Sequence, residues 1–158
     1  MANKIISPPE VVALAFSDGG YVAPDVVSDV DITSAIERWI RPVVGEPLLE
    51  AVEGGDYATL LEEYLRPAVA AYVRLAIQPR INVATSQLGL YAPNSSHHKA
   101  ADEASRRELM RSLRTRATTL LRHLSDYLEQ NKESIKEYKS NDNILNRCTL
   151  DGGFIQIF

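Results

Sequence analysis

Three features of this sequence predict a mainly α-helical bundle with one long C-terminal helix and a small β element. Apolar residues recur at steps of three and four in several separate stretches. Serines, aspartates, glycines and prolines stand where helices begin and end. Beyond residue 80 a turn-rich stretch, and at the far end two short alternating runs, lack any helical period.

The first helix opens at Ser7-Pro8-Pro9-Glu10, which supplies an N-cap serine, a proline at the first helical position and a glutamate three residues after the cap. Val11, Val12, Leu14, Ala15 and Phe16 give it apolar surface, and Gly19-Gly20 ends the segment. A connector containing Pro24 leads to a second helix near Asp29 or Asp31. Its stripe is Ile32, Ile36, Trp39, Ile40 and Val43, and Pro42 is expected to end or kink it. Leu48, Leu49 and Val52 form a short helix stopped by Gly54-Gly55. Asp56 then reads as the N-cap of a helix with the stripe Leu60, Leu61, Tyr64, Leu65, Ala68, Tyr72 and Leu75, bent at Pro67 and ending at Pro79. Trp39-Ile40-Arg41-Pro42-Val43-Val44 is echoed 25 residues later by Tyr64-Leu65-Arg66-Pro67-Ala68-Val69. A duplicated unit and two proline-containing helices under one packing demand both account for two copies.

Residues 80–100 carry turn chemistry around Gly89, Pro93, Asn94, Ser95 and Ser96, with a strand-like alternation at Ile81, Val83 and Thr85. So long a connection is expected to take its order from a partner. The longest helix runs from about Asp102 to Asn131, with Leu109, Leu113, Ala117, Leu120, Leu124 and Leu128 on one face. Arg107, Arg111, Arg114 and Arg122 cluster within about 80° on a different face. At about 40 Å this helix spans or overhangs a domain of ordinary size. Residues 132–143 read as a fraying helix end or loop. Residues 146–158 read as a hairpin around Asp151-Gly152-Gly153, ending Phe154-Ile155-Gln156-Ile157-Phe158. Such a hairpin is marginal alone, so the 81–90 segment or a neighbouring subunit's sheet edge is expected to cover it. The chain divides into a helical domain, 1–140, and a C-terminal extension of the same domain, 141–158.

Composition narrows the function. The chain has 158 residues, 45% hydrophobic and 24% charged, which suits a single folded domain and excludes a disordered one. No apolar run approaches the roughly 20 residues of a membrane span. No secretory h-region opens the sequence, which reads as cytosolic or as part of a particle. A net charge of −4 gives no reason for nucleic-acid binding by the whole surface. The charge is uneven, however. Residues 1–105 hold seven Lys/Arg against fourteen Asp/Glu, and residues 106–158 hold ten against seven. The arginine face therefore has three readings: a solvated surface, a contact with acidic groups of another copy, or a phosphate contact.

Chemistry-bearing motifs are sparse. His97-His98 and His123 show no metal-ligand spacing, and one cysteine, Cys148, excludes an internal disulfide. Neither GxxxxGK[ST], GxGxxG nor GxSxG occurs, and the pairs Glu62-Glu63 and Glu50/Glu53 read as solvated helix faces. No enzyme activity, cofactor or metal is expected.

The order of features resembles the head–tail connector (adaptor, head-completion) proteins of tailed bacteriophages and prophages. The likeness is carried by the Pro-Pro-Glu cap, Asp-Ile-x-x-Ala-Ile at 31–36, Pro-Val-Val-Gly-Glu-Pro-Leu-Leu at 42–49 and Tyr-Leu-Arg-Pro-Ala-Val-Ala-x-Tyr-Val at 64–73. Asn-Val-Ala-Thr-Ser-Gln-Leu-Gly at 82–89 and a long Leu/Arg helix ending Tyr-Leu-Glu-Gln-Asn at 127–131 complete it. The resemblance implies a non-enzymatic subunit of the virion head–tail junction, assembled in the bacterial host cytoplasm. It would form a homo-oligomeric ring between a portal protein and a tail-completion or stopper protein, with DNA passing through unread and no membrane. Its contacts would be expected at Arg107, Arg111, Arg114, Arg122, Leu88, Leu90, Tyr91, Phe154, Ile155, Ile157 and Phe158. The runner-up is a helical nucleic-acid-binding or regulatory module using the arginine face.

Overall fold

A computed structural model describes residues 5–17, 22–82, 84–86, 89–91 and 102–147. The fold is mainly helical, with the long C-terminal helix in place. Helix α1 spans Pro8–Ala15, α2 Asp29–Ala35, α3 Arg41–Val44, α4 Glu46–Glu53, α5 Arg66–Asn82 and α6 Glu103–Gln130.

Local signals start these helices as expected. The Glu10 carboxylate accepts both the Ser7 backbone N–H (2.8 Å) and its hydroxyl (2.6 Å). Ser28 and Asp31 repeat the arrangement ahead of α2. The Ser105 N–H donates to Asp102 Oδ1 (2.7 Å) at the head of α6. Asp56 differs from its expected role. Helix begins at Ala58, so the cap position falls to Tyr57, which takes the left-handed φ of +58°. That conformation is unfavourable for a residue with a Cβ. A long-range bond from the Tyr57 hydroxyl to Glu137 (2.5 Å) holds the side chain there.

The prolines are handled differently from expectation. Pro42 does not end its helix. Residues Ile36–Ile40 form a π-turn, in which the Arg41 N–H reaches back five residues to the Ile36 carbonyl, and helix continues to Val44. Residues Leu60–Leu65 form a second π-turn, with the Arg66 N–H reaching the Leu61 carbonyl, immediately before Pro67. A proline ring clashes with the carbonyl four residues earlier and brings no N–H to bond it. Widening the preceding turn by one residue relieves both problems. The extra residue also rotates everything beyond it by about 100° relative to an uninterrupted α-helix. Of the stripe read from the sequence, Leu60, Leu65, Ala68 and Tyr72 are buried as expected and Leu61, Tyr64 and Leu75 only partly, while Val69, Val73 and Ile77, outside it, are buried as well. Pro79 lies inside α5, which runs on to Asn82. Arg80 anchors that last turn to Asp31 (2.8 and 3.1 Å) and to the Val26 carbonyl (2.9 Å).

The core is one cluster centred on α5, whose Ala68, Val69, Ala70, Ala71, Tyr72 and Val73 are all buried. Helix α5 packs against α1, α2 and α6, and so reads as apolar nearly all round. Helix α6 contributes Ala117, Leu121, Leu124 and Leu128 to the cluster, and Leu113 is buried apart from it; Leu109 and Leu120, expected in the stripe, are partly exposed. Trp39 stacks on Tyr72 (4.9 Å between ring centres) and Tyr64 on Tyr127 (4.1 Å).

Residues 131–147 are built of turns that fold back onto α6. Ile135, Tyr138 and Asn143 are buried. Asn146, expected in a strand, lies in a 3-10 turn, Ile144–Asn146, because the Asn143 carboxamide oxygen accepts the Leu145 N–H (2.9 Å) and tightens the chain there. A β element joining 81–90 to 146–158 is not established. Ala84–Ser86 and Gly89–Tyr91 pair antiparallel with each other, and residues 148–158 lie outside the described residues.

Candidate interaction surface

The arginine face and the tail share one side of α6. At 28 residues the helix is about 42 Å long. Arg107, Arg111, Arg114 and Arg122 are all exposed along it, as the helical arithmetic places them. Arg107 pairs with Glu103 and Arg111 with Glu108, both within the helix and with both partners in solvent. Pairs of this kind hold charge in place without adding much stability. Arg114 and Arg122 make no hydrogen bond or ion pair among the described residues.

At the C-terminal end of the same side, the surface changes from cationic to a closed polar clamp. The Glu129 carboxylate accepts Tyr138 Oη (2.5 Å), Asn146 Nδ2 (2.5 Å) and Ser140 Oγ (3.0 Å). Asn143, 1% exposed, donates to Ser125 Oγ and to Tyr138 Oη (2.8 Å each). The Tyr138 hydroxyl bond, with those of Ser140 and Asn146, holds Glu129 below the usual carboxylate range despite partial burial. Burial, then the hydrogen bond donated to Glu129, pushes the Tyr138 phenol up to about 12. The end of the described tail is thus tied down at Glu129.

The opposite side of α6 carries a pocket of about 150 Å³, lined by Leu14, Ala15, Pro67, Ala71, Arg74, Leu113, Arg116 and Leu120. Its two cations are placed by the end of α1. Buried Arg74 donates to the Ala15 carbonyl and lies over the Phe16 ring (4.7 Å to the ring centre). Arg116 reaches the Leu14 carbonyl (3.4 Å) and is exposed. Carbonyls at a helix C-terminus attract cations, which accounts for both arginines. Leu14 is 38% exposed at the rim. Apolar walls beside guanidinium groups suit a large apolar side chain with a carboxylate next to it.

A third patch is acidic. Glu37, Glu46, Glu50 and Glu53 border a groove with Arg41 at its edge, which pairs with Glu37 and Glu46.

Of the residues expected at an interface, the structure aligns the four arginines on one face. Leu90 and Tyr91 lie in the second strand of the hairpin. Leu88, Phe154, Ile155, Ile157 and Phe158 fall outside the described residues, as do His97, His98 and Cys148. Sequence reasoning missed Arg74, Arg116, Glu129 and Asn143. For Arg74 a signal existed: an arginine among Val73, Leu75 and Ala76 on a central helix must find a buried partner.

Among the described residues no group of His, Cys, Asp or Glu could hold a metal ion. No helix there is long and apolar enough to cross a membrane. The model of a family described as a family of unknown function (DUF6712) matches residues 36–147. The chain belongs to this family. The DUF6712 match runs from the first π-turn to Arg147, one residue past the clamp, so it includes both Arg-Pro segments, α6 and the folded-back tail. No curated protein and no solved structure matches the chain.

Proposed function

We propose that this protein is a structural subunit of the head–tail interface of a tailed phage or prophage, assembling as a ring between portal and tail components. The observation that supports the reading most is the two-sided surface of α6. Exposed arginines run along one side, a pocket bearing Arg74 and Arg116 opens on the other, and an acidic groove lies on α2–α4. Unlike surfaces on one subunit favour head-to-tail contacts, which close into rings or extend as filaments. In this reading the finer β element, with residues 146–158 as an interfacial strand or hairpin, forms only on assembly. DNA would pass the ring without sequence-specific contacts. The test is electron microscopy with light scattering of the purified protein, alone and mixed with a candidate portal protein. Rings, or decoration of the portal ring, are the expected result. A monomer that joins neither portal nor tail components overturns the reading.

A second reading, a nucleic-acid-binding module, is favoured by the exposed Arg114 and Arg122, which have no ion pair among the described residues. Duplex DNA titrated at low and moderate salt tests it. Binding that vanishes in an Arg114→Ala/Arg122→Ala variant would favour it; phosphate contacts also predict steep loss with salt.

A further inference from the structure

We infer that the Arg74/Arg116 pocket receives residues 150–155 of a second copy of this chain, with Phe154 between the apolar walls and the Asp151 carboxylate on Arg116. The inference rests on the self-assembly proposed above and assigns its contact.

Two arguments select this occupant. The first is chemistry. A cavity of about 150 Å³ takes roughly one aromatic ring. Leu150-Asp151-Gly152-Gly153-Phe154-Ile155 offers a carboxylate and a phenyl ring separated by two glycines that let the backbone turn. Asp151 is the single charged side chain between residues 148 and 158. Among the described residues no acidic side chain lines the pocket to neutralise Arg116.

The second argument is reach. The described tail ends at Arg147, one residue after Asn146 is bound to Glu129. Arg116 lies thirteen residues before Glu129 on α6, about 20 Å along the axis. The pocket residues Leu113, Arg116 and Leu120 also stand about 165° around the helix from Ser125 and Glu129, which hold the tail. Four residues separate Arg147 from Asp151, and even fully extended they cover only about 14 Å. That backbone span is shorter than the axial separation alone, which favours the Arg116 of another copy over that of the same chain. A neighbouring copy's pocket has no such limit. Because tail and pocket are different surfaces, the contact is head-to-tail and propagates.

The test mixes two differently tagged full-length proteins, both with Cys148→Ser. One carries Phe154→Cys and the other Leu14→Cys. Mild oxidation is expected to give a disulfide-linked heterodimer, and likewise with Leu120→Cys in place of Leu14→Cys. Arg116→Asp should lower the yield about threefold, and Asp151→Arg on the tail copy should restore it. Absence of the heterodimer overturns the inference. So does a purely intramolecular disulfide when both cysteines are placed in one chain. Micrographs of the same samples separate the two proposals. Rings without the heterodimer refute this contact and leave the ring reading standing; the heterodimer without rings does the reverse.

Discussion

The two Arg-Pro segments share a local code and reach different ends. In each, a glutamate precedes the arginine by four residues and pairs with it, Glu37 with Arg41 and Glu62 with Arg66. In each, an aromatic residue two places before the arginine stacks on another ring, and a π-turn precedes the proline. Arg41 remains at the surface with Glu37 and Glu46 as partners. Arg66 turns inward: its Nε donates to the Ile5 carbonyl (2.8 Å), and Nη1 meets Glu10 (3.1 Å) and Glu62 (2.7 Å). The second arginine thus ties the N-terminal segment to the central helix, whereas the first pairs only with glutamates four and five residues away. A shared sequence code specifies the turn; the tertiary neighbours decide whether the arginine carries stability.

The largest expected effect breaks that contrast directly. Arg66→Ala removes a part-buried charged hydrogen bond to the carbonyl of Ile5, a residue only 1% exposed. A loss of about 2 kcal/mol is expected. Arg41→Ala should cost no more than about 0.5 kcal/mol, since its pairs are exposed. Urea denaturation of both variants measures the difference, and equal losses would show that the two arginines are equivalent after all.

The next effect lies in the residues just beyond each proline. Gly45 and Ala70 occupy the same place in the echo, three residues after Pro42 and Pro67. Gly45 has φ +84° and stops α3, whereas Ala70 is buried inside α5. A Cβ at Gly45 would meet only Pro47 Cδ, at 3.8 Å, so backbone strain alone opposes it. Gly45→Ala is therefore expected to cost about 1–2 kcal/mol, and Ala70→Gly about 1 kcal/mol from helix propensity. Thermal melts of the two single variants check both values. A neutral Gly45→Ala would mean that the helix stop is set by packing rather than by backbone conformation.

The same pair of segments marks what the amino-acid sequence makes legible. Caps are legible at Ser7 and Asp102 because a cap needs only residues within three positions. The arginine face of α6 is legible because no π-turn interrupts its period. The full extent of α5's burial is not: Ala68 and Tyr72 are buried as their spacing predicts, but Val69, Val73 and Ile77 are buried too, because α1, α2 and α6 pack around the helix. Nor is the clamp. Ser125, Glu129, Tyr138 and Asn143 are polar residues without periodicity, and their order comes from bonds across 5 to 18 residues of sequence. Arg74 likewise depends on a carbonyl 59 residues away.

Acidification sharpens the contrast through Glu10, the distant partner that Arg66 has and Arg41 lacks. The Ser7 hydroxyl, then the Ser7 N–H, and finally the Arg66 charge hold the Glu10 carboxyl below its ordinary value. A depressed carboxylate contributes stability that is present above the unfolded value and is lost as pH falls through the folded one. The fold should therefore weaken below about pH 4.5. Ser7→Ala is expected to flatten this acid limb more than Arg66→Ala, because the serine bonds outweigh the charge. Melting temperatures between about pH 3 and 6 for the three proteins test the ordering, and a steeper effect from Arg66→Ala would reverse it.

The smallest effect asks whether the prolines cause the π-turns or merely tolerate them. Beyond Pro42 only Val43 and Val44 are helical before Gly45, so returning that turn to α geometry rotates few core contacts. Pro67 stands second in a helix of 17 residues buried on several sides, and regularising the π-turn before it would turn all of that helix by about 100°. Pro42→Ala is accordingly expected to let the new Ala N–H bond the Arg38 carbonyl and to gain a few tenths of a kcal/mol. Pro67→Ala should leave its π-turn in place, with stability changed by less than about 0.5 kcal/mol. Amide exchange at position 42 or 67 distinguishes these results, with protection expected at the first and not at the second. Protection at both would assign the π-turns to proline sterics alone. Protection at neither would assign both to the surrounding core.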